Sequence, residues 1–143
     1  MSAEPSKRLS QEQVQAIFDR SPFISFLALR VVGLDHEKSE ITVSMPLRPE
    51  LERRSGTGQF HGGPLASFID TVGDFAVGME VGGGVPTINM RIDYLRPAIG
   101  DAVTGVARVR RLGKSTAVVD VDVFDASNKL VAVGRCTYAP QTG

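Results

Sequence analysis

The chain has 143 residues, and its 16 Lys and Arg balance 16 Asp and Glu, which leaves no global field to attract nucleic acid or an acidic membrane. Its one cysteine, Cys136, excludes an internal disulfide and a cysteine-built zinc site and fits a reducing cytoplasm, its place in an apolar strand pattern reading as a small buried hydrophobe. The two histidines, His36 and His61, lie far apart and in no His-Glu-x-x-His pattern, so no metal is expected.

Met1 to Leu9 reads as a loose polar tail without an apolar leader, and residues 10–143 as a single domain with no stretch approaching a membrane span. Ser10-x-x-Gln13 forms a capping box for a short helix through about Arg20, which Ser21-Pro22 ends. Phe26 to Leu47 reads as a hairpin of two strands, with Ile41, Val43, Met45 and Leu47 alternating with polar positions and a turn near His36 to Ser39. A loop from Arg48 to Phe60 follows.

A long helix is expected from about Gly63 to Glu80, with the stripe Leu65, Phe68, Ile69, Val72, Ala76 and Met79 facing a core. Gly82-Gly83-Gly84 follows that helix, so it reads as a terminator and not a phosphate cradle. Four alternating strands complete the chain, at Pro86 to Arg96, Asp101 to Arg111, Ser115 to Asp125 and Lys129 to Tyr138. The short turns at Leu112-Gly113-Lys114 and Ala126-Ser127-Asn128 make the last three antiparallel. The expected fold is α+β, an antiparallel sheet wrapped around one long helix.

The run Phe60-His61-Gly62-Gly63-Pro64 to Asp70 carries the chemistry. Pro64 suits the first turn of a helix and His61-Gly62-Gly63 the turn leading into it, where free backbone N–H groups can hold an anionic oxygen. Asp70 and Asp74 project together on the face opposite the apolar stripe, among Ala66, Ser67, Gly73, Val77 and Gly78, with no cation in reach along the helix. Such small neighbours suit close approach by a ligand or another subunit. Asp70 and Asp74 repel by about 0.2–0.5 kcal/mol, and each interior glycine costs up to about 1 kcal/mol, so helix stability does not select this stretch. Two separate solvated or structural aspartates are the plain alternative.

Together with Thr87-Ile88-Asn89-Met90-Arg91-Ile92-Asp93-Tyr94-Leu95-Arg96-Pro97-Ala98, the His61-to-Asp70 run resembles the hotdog-fold acyl-CoA thioesterases of the phenylacetate-degradation (PaaI-like) type, over roughly Pro22 to Tyr138. The resemblance implies a cytoplasmic hydrolase acting on acyl-CoA, with coenzyme A part of the substrate and no separate cofactor. It implies a homodimer or dimer-of-dimers tetramer in which two sheets join and the sites form between subunits. By position, Gly62 corresponds to the amide that polarises the thioester carbonyl, with Gly63 beside it, and Asp70 to the nucleophile or general base from the facing subunit. His61 corresponds to a residue orienting the carbonyl, and Thr87 to a Ser or Thr holding water or the carboxylate. Ser55 stands where many relatives have Asn or Gln, leaving a shorter hydroxyl, helped by Gln59 or a water, to orient the reactants. Arg110, Arg111 and Lys114 are the candidates for the coenzyme A phosphates.

An oxyanion amide is typically worth about 2.7–4 kcal/mol, and a thiol of parent pKa about 8.5 leaves without a strong general acid, so one carboxylate suffices for thioester hydrolysis. Asp74 is expected to raise the proton affinity of the Asp70 pair by like-charge repulsion. Two other readings stand beside hydrolysis. One is an acyl-CoA-binding module without catalysis; the other is a hotdog hydratase or dehydratase, which would need a paired Asp and His, here only Asp35-His36 at a turn.

Overall fold

The computed structural model describes residues 7–142. Of the tail expected over 1–9, residues 1–6 lie outside the described residues, while Leu9 donates its N–H to the Met79 carbonyl at 2.8 Å and packs against the core. Helix α1 (Gln11–Arg20) starts at the expected capping box: the Ser10 hydroxyl accepts from the Gln13 N–H and the Gln13 side chain accepts from the Ser10 N–H. Val14 and Phe18 are buried from its inner face.

The first strand of the expected hairpin begins at Arg30 and not at Phe26, because a second helix, α2 (Pro22–Leu27), precedes it. Ser21-Pro22 ends α1 but also begins α2, because Pro22 fills a first-turn position where its missing N–H costs nothing. Ala28, in the left-handed region at φ 57°, turns the chain into the sheet.

The sheet then forms from the hairpin β1 (Arg30–Asp35) and β2 (Glu40–Pro46), followed after α3 (Gly62–Val81) by β3 (Thr87–Tyr94), β4 (Ala102–Leu112), β5 (Ala117–Phe124) and β6 (Leu130–Tyr138). Every neighbouring pair is antiparallel and the strand order is β1-β2-β4-β5-β6-β3. Period-two burial places Ile41, Val43 and Met45 of β2 and Val119, Val121 and Val123 of β5 on the face that receives α3. This is the hotdog arrangement, an antiparallel sheet wrapped around one long helix.

The expected stripe of α3 is buried, and so are Phe75 and Val77, because the helix is sheathed on more than one side. Close approach needs glycine in the strands: a Cβ on Gly105 would come within 2.8 Å of the Phe68 ring, and one on Gly134 within 2.7 Å of Ile69. Gly82, at φ 103°, ends the helix, so the glycine run is a helix stop. Among the described residues no helix is long and apolar enough to cross a membrane.

The two sheet edges differ. At β1, the Gln15 side chain accepts from the Val31 N–H at 2.7 Å and donates to the Leu29 carbonyl at 3.1 Å, and Gln11 donates to the Val31 carbonyl at 3.2 Å. At the other edge β3 pairs, among the described residues, only with β6 and shows apolar side chains to solvent, Ile88 being 56% and Tyr94 52% exposed.

Candidate active site

The start of α3 leaves a single amide available. A helix leaves its first N–H groups without intrahelical partners. Here the His61 N–H donates to the Leu51 carbonyl at 2.8 Å, the Gly63 N–H donates to His61 Nδ1 at 3.2 Å, and Pro64 has none. Only the Gly62 N–H, among the described residues, is left to bind an incoming oxygen at the positive end of the helix. Gly62 and Gly63 thus belong to the first turn itself, one residue earlier than the sequence reading started the helix, and the Gly63 amide is taken up by the cap.

His61 is the N-cap. Since its Nδ1 accepts a hydrogen bond, the neutral ring carries its proton on Nε2, which stays exposed with the residue. The Gly62 carbonyl in turn accepts from the Tyr94 hydroxyl at 2.8 Å, which ties the helix start to the end of β3. Partial burial pushes the Tyr94 phenol above its ordinary value, so it remains a donor.

Asp70 lies two turns further along. Its Oδ1 accepts from the Thr87 hydroxyl at 2.7 Å, which ties this part of the helix to the beginning of β3. One carboxylate oxygen is thereby oriented and the other has no hydrogen-bond partner among the described residues. Beneath it, the buried Tyr138 hydroxyl donates to the Asp70 backbone carbonyl at 2.7 Å. That contact depends on Gly73, where a Cβ would lie 2.4 Å from the Tyr138 oxygen.

Asp74 is partly buried, and its Oδ1 accepts from the Val85 N–H at 2.9 Å. Its carboxyl is pushed up to about 7, first by burial, with the Val85 hydrogen bond opposing and Asp70 adding a smaller repulsion. The sequence reading assigned this rise to like-charge repulsion. Desolvation is the larger cause.

A cleft of about 340 Å³ adjoins the helix start and is lined by Gly62, Leu65, Tyr94, Gln59, Arg53 and Arg96 among others. Gln59 therefore lines the same cleft as Gly62, whereas Ser55 sits in an exposed turn with no side-chain hydrogen bond among the described residues. The three basic candidates divide. Arg110 pairs with Asp120 at 3.6 Å on the outer face of the sheet, Arg111 reaches the Thr116 hydroxyl at 3.4 Å in the β4–β5 hairpin, and Lys114 lies exposed in that hairpin.

Asp35 and His36 are occupied elsewhere. Asp35 accepts from the N–H groups of Glu37 and Lys38 in the hairpin turn, and the His36 ring bridges Glu80, only 2% exposed, and the Leu9 carbonyl. Cys136 is buried and its thiol pushed up to about 11, chiefly by desolvation, so it is no nucleophile. Tyr94 and Tyr138, which hold the two ends of the site through hydrogen bonds 32 and 68 residues apart in sequence, escaped the sequence reading. Nothing local in the sequence marks these phenols, because their partners are distant along the chain.

The geometry leaves the free amide and Asp70 on one helix but eight residues apart, about 12 Å at 1.5 Å per residue. One protomer cannot bring both to a single carbonyl group.

The thioesterase superfamily family model matches residues 57–132. Acyl-coenzyme A thioesterase PaaI of Escherichia coli is 27% identical over 125 residues, 87% of this chain and 86% of its own. Its solved structure superimposes with a TM-score of 0.76, covering 92% of this chain and 93% of that one. Human acyl-coenzyme A thioesterase 13 is 33% identical over 94 residues, 64% of this chain and 67% of its own.

Proposed function

The chain belongs to the thioesterase superfamily, and we propose that it hydrolyses an acyl-CoA thioester to the free acid and coenzyme A, at a site assembled from two copies of the chain. The observation that carries this reading is the separation of the lone free amide from Asp70 together with the way β3 is tied to each. The beginning of β3 is bonded to Asp70 through Thr87, and its end to Gly62 through Tyr94.

If two open β3 edges pair antiparallel about a two-fold axis near Met90 and Arg91, Thr87 comes to lie beside the partner's Tyr94. Strands in a sheet are about 4.8 Å apart, so Asp70 of one subunit then faces the partner's Gly62 across one small cleft. The exposed apolar residues of β3 favour this pairing, because Ile88 and Tyr94 would leave water at the junction.

In the proposed reaction the thioester carbonyl oxygen accepts the Gly62 N–H, and the negative charge it gains in the transition state is stabilised by the helix start. Asp70, held through one oxygen by Thr87, uses the other either to take a proton from an attacking water or to attack the carbonyl carbon directly. In the first route hydroxide adds to the carbon and the C–S bond breaks. In the second a mixed anhydride forms with loss of thiolate, and water then cleaves it. The Nε2–H of His61 and the amide of Gln59 stand near the helix start to orient the carbonyl. Arg111 and Lys114, at the exposed hairpin, are suited to the phosphates of coenzyme A.

Thiol release from a panel of aryl- and fatty acyl-CoAs tests the reading. The expected result is turnover by the native chain and at least a hundredfold loss in Asp70→Asn. Binding without thiol release would favour the non-catalytic module instead.

A further inference from the structure

Asp74 is not needed for either route above, yet it is partly buried beside the reacting carboxylate. Its one described hydrogen bond goes to Val85, and Thr87, two residues on, bonds Asp70. The segment Val85-Pro86-Thr87 therefore runs antiparallel to α3 as a ladder with two rungs, 74 to 85 and 70 to 87. On its other side the Pro86 carbonyl accepts from the Ala139 N–H at 2.9 Å. Before it come Gly82-Gly83-Gly84, which have no side chains to anchor it, and after it the register slips between Thr87 and Asn89.

We propose that Asp74 is a positioning residue: by holding the Val85 N–H it fixes this segment against α3 and so sets the Thr87 hydroxyl on Asp70. The inference rests on the reading of Asp70 as the reacting carboxylate. The ionisable groups that face Asp74 are Asp70, one turn away on the same helix, and Tyr138 of β6, whose phenol is buried and pushed up. An ionised Asp74 is the stronger acceptor for Val85. With its carboxyl at about 7, the clamp tightens as pH rises through neutrality.

A folding signature accompanies this. Asp74 keeps its proton in the folded chain between its ordinary value of 3.8 and about 7, where the unfolded chain has lost it. Its contribution to stability therefore falls as pH rises across that window and is constant above it.

The test compares kcat and KM for the native chain, Asp74→Asn, Asp74→Ala, Thr87→Ala, Thr87→Ser, the Asp74→Ala/Thr87→Ala pair and Asp70→Asn across pH 5.5 to 9. Asp74→Asn keeps an acceptor and cannot titrate. It should remove the limb near 7, lowering kcat about threefold at high pH with KM unchanged, and it should flatten the stability slope below 7. Asp74→Ala should lower kcat about tenfold, Thr87→Ser should recover most of what Thr87→Ala loses, and the double variant should be no slower than Thr87→Ala alone. Additive losses in the double variant, or a limb near 7 that persists in Asp74→Asn, would overturn the inference while an inactive Asp70→Asn left the thioesterase reading standing. An active Asp70→Asn would overturn that reading itself.

Discussion

The two edges of the sheet solve the same problem in opposite ways. An edge strand displays unpaired N–H and C=O groups that invite another strand. At β1 the invitation is withdrawn, since two glutamine side chains of α1 take up the Leu29 and Val31 backbone groups as a neighbouring strand would. At β3 nothing comparable is present among the described residues, and the strand adds an apolar strip running through Ile88, Met90, Ile92 and Tyr94. The proposed site groups follow the open edge: Thr87 and Tyr94 at its two ends hold Asp70 and Gly62. The closed side has a structural lock, with Glu80 buried against His36 and Arg8. In the proposed assembly, the open edge is where a second copy would supply the other half of the site.

The largest effect is expected from closing β3. Replacing Ile88 and Ile92 together by Lys puts charge on both strips at the proposed junction, and it should dissociate the assembly and lower turnover at least a hundredfold. Light scattering and thiol release check this in one preparation. On the closed side the effects should be on stability alone. His36→Ala leaves the buried Glu80 carboxylate to Arg8 and Ser39 and should cost about 1.5–3 kcal/mol of unfolding free energy, measured by denaturant titration. Gln15→Ala removes two hydrogen bonds from the β1 edge and should cost about 1–3 kcal/mol. It should also reveal self-association that grows with concentration in sedimentation profiles, because it reopens an edge that the native chain covers.

Much of this architecture was legible from local pattern. The capping box at Ser10, the apolar stripe from Leu65 to Met79, the glycine stop and the alternating strands each depend on residues close together in sequence, where spacing alone reports geometry. Helix α2 was not legible, because Phe-Ile-Ser-Phe-Leu is rich in residues that suit strands and only the first-turn placement of Pro22 reveals its helical start. At the site, the run His61 to Asp70 stood out by its composition. Its supports did not: Tyr94 on Gly62 and Tyr138 on Asp70 against Gly73 are long-range contacts that only the packing of β3 and β6 on α3 creates, and Asp74 on Val85 joins the helix to the irregular segment that enters β3. The choice of Gly62 among the helix-start amides likewise needed the full account of donors.

Complementation between two inactive chains tests the shared site most directly. Asp70→Asn removes the carboxylate, and Gly62→Pro removes the amide at a helix position that accepts proline, after a residue with extended backbone. Each variant alone should be inactive. Co-expressed, they should recover about a quarter of native activity per chain, since half the dimers are mixed and one of the two sites in each mixed dimer is intact. Mixed dimers that form, as shown by differently tagged chains, and yet stay inactive would contradict the account.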